Sequence, residues 1–372
     1  MIRIGITGQV GFIGTHLYNF LGLKQDNVIR IPFEDRFFGD SVLLEDFVRQ
    51  CDAIVHLAAL NRHNDQQVIY NTNIDLVKRL ILAMENAKVR PHVLFSSSTQ
   101  EERENLYGRS KREGRELLAQ WAEMNDAPFT GFLIPNVFGP FGNPYYNSVV
   151  ATFCHQLTHD ESPRIEIDGQ LKLIYIHELV KTIYDSISRK ISQKEFRVTH
   201  TAEINVSETL ALLIRYRSDY FEKGIFPLLN SAFETNLFNT FRCYMDIARH
   251  YPVKLSKHAD DRGIFVEAVK LHAGGQISFS TTKPGITRGN HFHTRKIERF
   301  AVIRGKARIQ LRRVGTAEVL NFHLDGDEPS YVDMPIWYTH NITNTGEEDM
   351  FCLFYINEFF DKNDPDTFFE TV

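Results

Sequence analysis

The hydrophobic pattern of this chain changes its period once. From residue 1 to about 135, short apolar runs ("RIGITG", "NVIRIP", "AIVHLAA", "HVLFSSS", "FTGFLIPNVFG") alternate with segments of helical spacing at Gly11–Leu21, Ile69–Ala87 and Ser110–Met124. Such alternation predicts a parallel sheet covered by helices, because each crossover between parallel strands needs a helix-sized connection. After "HYPVKLSKHADDRG" (250–263) short strands follow one another between Gly and Pro turns: "FVEAVK", "GQISFST", "ERFAVIRGKARIQLRR", "AEVLNFHL", "SYVDMPIWYTHNITN" and "MFCLFYIN". That pattern predicts an antiparallel barrel or jelly roll. The stretch from 140 to 245, with helical segments such as Ser207–Arg217, reads as the substrate-facing part of the first domain. A length of 372 residues suits two domains. The expected division is 1–250, a doubly wound α/β parallel sheet, and 251–372, all-β.

Composition narrows the partners. A net charge of −5 with no basic run argues against nucleic acid. No apolar stretch has the length of a membrane span, so no membrane insertion is expected. The opening "MIRIGITG" reads as a strand and not as a signal peptide. Cys51, Cys154, Cys243 and Cys352 are scattered without CxxC spacing and are expected as reduced thiols. The expected compartment is the cytoplasm.

"TGQVGFIG" (7–14) places Gly8, Gly11 and Gly14 between a strand and a helix. There the glycines permit a tight turn and close backbone approach to a pyrophosphate seated on the helix N-terminus. "YGRSK" sets Tyr107 and Lys111 four apart, on one helical face. A lysine beside a phenol favours the phenolate and draws its pKa toward working pH, as proton transfer requires. Alone, such a pair is commonly a solvated surface pair. Here it follows a nucleotide-binding half-sheet and a strand ending in "SSS", which favours function. The second strand, "NVIRI", runs into Pro32 and Phe33 with no acid at its end for a ribose 2′-hydroxyl. Arg36 nearby suits a 2′-phosphate, so NADPH is the expected cofactor.

With "HLAA" (56–59), "FSSS" (95–98) and "NVFGP" (136–140), these motifs make the first 250 residues resemble the extended short-chain dehydrogenase/reductase family. The resemblance implies a Rossmann-type fold with Tyr107 as catalytic acid and Lys111 contacting the ribose and tuning Tyr107. It implies Ser98, with Ser97 as fallback, orienting the substrate carbonyl. Gly8, Gly11, Phe12, Ile13, Gly14, Leu57, Ala58 and Ala59 would line the dinucleotide, together with Tyr107 and Lys111. Asn136 would meet a nucleotide-sugar diphosphate. One departure stands out: only about ten residues separate the serine from the tyrosine, where the family has a much longer loop. The cover of the site must be reduced or supplied from elsewhere.

In "GNHFHTRKIERF" (289–300), His291 and His293 point to one side of a strand. With Glu298 and the later His340 of "PIWYTHNITN" (335–344), they suit a borderline divalent metal such as zinc. The two motifs, in this order, resemble the cupin superfamily, with Trp337 in place of a usual glycine. That resemblance makes His291, His293, Glu298 and His340 the metal set. "DDRGIFVE" (260–267) followed by "GITRGNHFH" (285–293) also resembles the nucleotide-sugar 3,5-epimerase cupins. In those, the residues matching Arg262 and Glu267 contact the nucleotide sugar, and the histidine matching His291 is the base. Here His291 is recruited as a ligand, which leaves Lys296 and Tyr338 as candidate bases.

A reductase joined to such a cupin resembles the bifunctional capsular polysaccharide enzymes of the CapF type. This resemblance implies a homodimer making UDP-N-acetyl-6-deoxy-L-talosamine on the route to N-acetyl-L-fucosamine. Chemistry then orders the steps. A 4-keto sugar has acidified protons at C3 and C5 because the carbanion delocalises onto the ketone oxygen, and reduction abolishes that acidity. Epimerisation must precede reduction. The competing expectation is a single-function nucleotide-sugar 4-ketoreductase whose cupin is a structural or dimerising module.

Overall fold

The computed structural model describes residues 1–261, 263–272 and 274–372. They form two compact units, Met1–Thr152 with Asp168–Val206, and Phe153–Ile167 with Ser207–Val372.

The first unit is built on six parallel strands in the order Val28–Ile31, Ile2–Thr7, Ala53–His56, His92–Ser98, Phe129–Ile134, Gln193–Arg197. The fifth expected strand is split. Phe129–Ile134 stays in this sheet, whereas Asn136–Phe138 pairs with Gln170–Tyr175 in a separate sheet of three. Pro135, at the break, has no N–H to give to a ladder. The expected helices run from Phe12 to Gly22, Gln66 to Ala87 and Leu106 to Asn125. A further helix, Ser41–Gln50, was hidden in the sequence by its short length; the Asp40 carboxylate caps it at the amides of Val42 and Leu43.

Phe47, Val48, Val77, Leu80, Met84, Phe95, Leu118 and Trp121 form one core between the sheet and three helices. Ile4, Ile6 and Leu94 alternate with core-facing positions and are equally buried, so the opposite face is covered too. There Phe12–Gly22 and Ile176–Ser188 pack through Phe20 against His177 and Tyr184. The sheet is doubly wound, as expected. Strand order reverses between Ile2–Thr7 and Ala53–His56, and ligands of such sheets bind beyond the strand ends at that switch.

The second unit contains two five-stranded sheets. One has the order Val253–Lys254, Ser330–Met334, Glu298–Arg304, Met350–Ile356, Gln276–Thr282; the other has Val319–Asp325, Lys306–Arg313, Tyr338–Asn344, Thr287–Phe292, Phe368–Phe369. Neighbours in both are antiparallel. The chain passes repeatedly from one sheet to the other, and Phe300 and His340 meet between them with ring centroids 5.7 Å apart. This is the expected jelly-roll arrangement.

Residues 207–250, expected in the first domain, cluster instead with these sheets. The reason is electrostatic. Buried Arg299 forms a two-pronged pair with buried Asp333 at 2.7 and 3.0 Å, and Tyr220 donates to Asp333 at 2.6 Å. Arg242 donates to the Tyr220 hydroxyl at 3.0 Å and to the Met334 carbonyl at 3.1 Å. Charges taken out of water need these partners, so Tyr220 and Arg242 belong to the barrel. Residues 153–167 join the same unit, where the Thr158 hydroxyl donates to the Tyr244 carbonyl at 2.9 Å.

Candidate active site and metal centre

The glycine turn has the geometry that its spacing predicts. Gly8 has φ +68°, and a Cβ there would lie 2.7 Å from the Ala58 nitrogen. A Cβ on Gly14 would lie 2.2 Å from the Gly8 carbonyl oxygen. The helix after the turn has no side-chain cap and no acid in its first turn, so its amide end is open to an anion. Behind it, His56 Nδ1 and the Thr7 hydroxyl are 2.7 Å apart, and burial pushes His56 down to about 3, so the imidazole is neutral. The "HLAA" loop is tied to the tyrosine helix: Leu60 N–H donates to Asn73, Asn73 donates to the Ser110 hydroxyl, and that hydroxyl donates to the Tyr107 carbonyl.

Lys111 is buried, its ammonium donating to the Ser96 carbonyl at 3.0 Å and standing 5.8 Å from the Tyr107 ring centroid. Burial pushes Lys111 down to about 8, against the opposing pull of the Glu101 carboxylate. Burial also pushes Tyr107 up to about 12, the reverse of the expected lowering. The ammonium is held at the backbone rather than at the phenol. A protonated phenol is nonetheless the form that gives up a proton when a ketone is reduced.

The Ser98 hydroxyl accepts from Gln100 N–H at 3.1 Å. Ser97 is buried and donates to Glu101, so its hydroxyl is already committed. Glu101, in the shortened stretch between serine and tyrosine, forms a buried pair at 2.8 Å with Arg115 on the tyrosine helix. That pair staples the short loop to the tyrosine helix. The one hint of it in the sequence is that Arg115 continues the Tyr107–Lys111 helical face. Asn136 is exposed just past the strand that pairs with Ser98. Arg36 is exposed and held by Glu34 at 2.7 and 3.1 Å, an acid three residues past the second strand that reading "NVIRI" alone passes over.

In the second unit, His291, His293, Glu298 and His340 come together with ligand atoms all within 4.8 Å of one another. Glu298 Oε2 lies 3.1 Å from Nε2 of both His293 and His340 and 3.9 Å from Nε2 of His291. Burial alone would raise the Glu298 carboxyl, but the His293 and His340 imidazoles outweigh it and hold the group well below the usual range. Burial, His340 and His293 push His291 down to about 4, leaving its lone pair available at neutral pH. Despite the 3.1 Å separation, buried His293 Nε2 has no aligned hydrogen-bond partner. Three imidazoles and a carboxylate with an orphaned ring nitrogen fit a divalent cation such as zinc.

Lys296 is not placed to act as a base, because its buried ammonium donates to the Pro365 carbonyl at 2.7 Å. Burial pushes the other candidate base, Tyr338, up to about 12. Glu267 is exposed and paired with Lys270 at 2.8 Å. Arg262 lies outside the described residues.

The fold and these sites define a nucleotide-binding oxidoreductase-type unit joined to a jelly-roll unit. Residues 4–196 match the NAD dependent epimerase/dehydratase family, and the chain belongs to it. Residues 258–368 match the polysaccharide biosynthesis C-terminal domain. Over 99% of its length the chain is 33% identical to the UDP-2-acetamido-2,6-beta-L-arabino-hexul-4-ose reductase of Pseudomonas aeruginosa, covering 98% of that protein. It resembles the capsular polysaccharide assembling protein CapF of Staphylococcus aureus, with TM-score 0.63, 32% identity and full coverage of both chains. The RMD–NADPH complex from Pseudomonas aeruginosa, 19% identical with TM-score 0.53 over 59% of this chain and 83% of that one, shares the fold. Among the described residues no helix is long and apolar enough to cross a membrane. The likeness to CapF spans the whole chain, which is therefore of the CapF type: an NAD dependent epimerase/dehydratase unit joined to a polysaccharide biosynthesis C-terminal domain.

Proposed function

We propose that the protein acts twice on one UDP-sugar, inverting C3 of a 4-keto-6-deoxy UDP-N-acetylhexosamine and then reducing C4 to give UDP-N-acetyl-6-deoxy-L-talosamine for capsular polysaccharide. The observation that carries this reading is the presence in one chain of Tyr107–Lys111 beside a glycine turn and of the His291–His293–Glu298–His340 cluster. Bound NADPH would supply hydride to C4. A zinc ion on the cluster would supply positive charge beside the sugar's ketone oxygen, where enolate charge develops. Tyr107 gives its phenolic proton to O4 as the alcohol forms, and Ser98 orients the carbonyl. Lys111 holds the ribose side of the site, and Asn136 meets the diphosphate. Arg36 takes the 2′-phosphate by exchanging its exposed pair with Glu34, which costs little in water.

A homodimer fits the same reading. Gln276–Thr282 is an edge strand with Ile277 and Phe279 exposed, and an unpaired apolar edge is a surface that a second copy covers. Sedimentation of a monomer at micromolar concentration would remove that assignment.

One observation favours the single-function alternative: the two candidate bases do not stand ready, since Lys296 is engaged with Pro365. The deciding experiment incubates the intact, metal-loaded protein with the 4-keto UDP-sugar in D₂O without NADPH. Deuterium at C3 is expected. Its absence, with normal reduction once NADPH is added, leaves a 4-ketoreductase with a structural barrel.

A further inference from the structure

His293 and Glu298 flank a four-residue loop, Thr294–Ile297, and the backbone amides of that loop are taken by side chains far along the chain. The Asp366 carboxylate accepts from the N–H groups of Thr294 at 3.1 Å, Arg295 at 2.9 Å and Lys296 at 2.9 Å, and from the Thr294 hydroxyl at 2.6 Å. Asn357 accepts from Ile297 N–H at 2.9 Å. The Asp366 backbone carbonyl accepts from His293 Nδ1 at 2.5 Å. Asp366 is itself buried and held at φ +42°, and the adjoining strand Phe368–Phe369 pairs with His291 and Phe292.

We infer that Asp366 is a positioning residue for the metal centre. It fixes the spacing between His293 and Glu298 and, through its own carbonyl, the tautomer of His293. In the neutral ring, Nδ1–H donated to a carbonyl leaves Nε2 without a proton, and Nε2 then carries the lone pair toward the cluster. A hydrogen bond on the far nitrogen also makes an imidazole a stronger donor to a metal, and loss of such outer contacts typically weakens binding about 10–100-fold. The carboxylate organises this without reaching the cluster, since the groups that donate to it belong to Thr294, Arg295 and Lys296.

The inference rests on the reading of the cluster as a metal centre, and the test separates the two. The full-length protein is stripped and titrated with Zn²⁺ against a chromophoric chelator, beside Asp366→Ala, Asp366→Asn and Thr294→Val. Wild type is expected to bind one zinc. Asp366→Ala should bind it about 10–100-fold more weakly, with Asp366→Asn in between because its amide oxygen still accepts, and Thr294→Val nearest to wild type. Co²⁺ in the Ala variant should show an altered visible spectrum as His293 loosens. Equal zinc affinity and equal Co²⁺ spectra in a folded Asp366→Ala protein overturn the inference. Should that variant not fold, as judged by circular dichroism, the same comparison is made on Asp366→Asn and Thr294→Val, and wild-type values for both overturn it. Wild-type protein that binds no zinc overturns the metal reading itself.

Discussion

The two sites bury charge in opposite ways. Around Tyr107 every buried charge is already answered within the protein: Lys111 by the Ser96 carbonyl, Glu101 by Arg115 and Ser97, with His56 neutral. Around Glu298 one carboxylate faces three imidazoles, and His293 Nε2 makes no hydrogen bond. The first arrangement is complete before any ligand arrives. The second gathers four potential ligand atoms within 4.8 Å of one another around a single carboxylate. One set of buried groups is settled by internal pairing, whereas the other leaves a buried ring nitrogen unpaired among its neighbours.

Tyr107→Phe tests the ready-made site most severely. NADPH oxidation should fall about 10²–10⁴-fold, while cofactor binding and zinc content stay as in wild type. Near-normal turnover would take the acid role away from Tyr107. Glu101→Gln should destabilise the first unit by less than the roughly 3–5 kcal/mol of a fully orphaned buried charge, because Arg115 also pairs with Glu195 at 3.0 Å. The unfolding transition of the first unit in urea should shift accordingly, with zinc affinity unchanged; a negligible shift would mean that Glu195 alone answers Arg115.

The pH profile sharpens the contrast further. Lys111, pushed down to about 8, is charged at neutral pH and loses its proton as pH rises through 8, so reduction should decline on that limb. Lys111→Met should remove the limb. Because Glu101 pulls Lys111 upward, Glu101→Gln should move it to lower pH. The stability linkage has the other sign: between about 8 and the ordinary lysine value near 10.4 the unfolded chain holds a proton that the folded one has lost, so this group's contribution to stability increases with pH there. A flat rate between pH 7 and 9 would contradict the assignment. The smallest effect concerns Arg36. NADPH should be preferred over NADH about tenfold, roughly 1.4 kcal/mol, and Arg36→Ala should bring the two kcat/KM values together.

What could be read from the sequence was whatever is local. Gly8, Gly11 and Gly14 act within one turn, Tyr107 and Lys111 within one helical turn, and His291 with His293 on one strand, so spacing alone exposes them. Glu298 and His340 were legible through motif order. Asp366 was not: it meets Thr294 across 72 residues, and an aspartate near a chain end carries no periodic mark. The direction of the Tyr107 shift was missed because spacing reports which residues share a face, not where an ammonium finds its acceptor. The expected boundary near 250 followed the change of period. The compact units divide by buried partners, which place the helix Ala232–Arg242 with Asp333.

The chain crosses between its units three times, at 152/153, 167/168 and 206/207. No single gene fission can therefore yield two whole halves. A cut at 250 would carry Tyr220 and Arg242 off with the first half and leave Asp333 and Arg299 without them. A cut at 206 would still take Phe153–Ile167, and with it the Thr158 bond to Tyr244, to the wrong piece. The two units are plaited into one polypeptide rather than strung along it, and recombination that swaps either would have to exchange two separate stretches of the gene together.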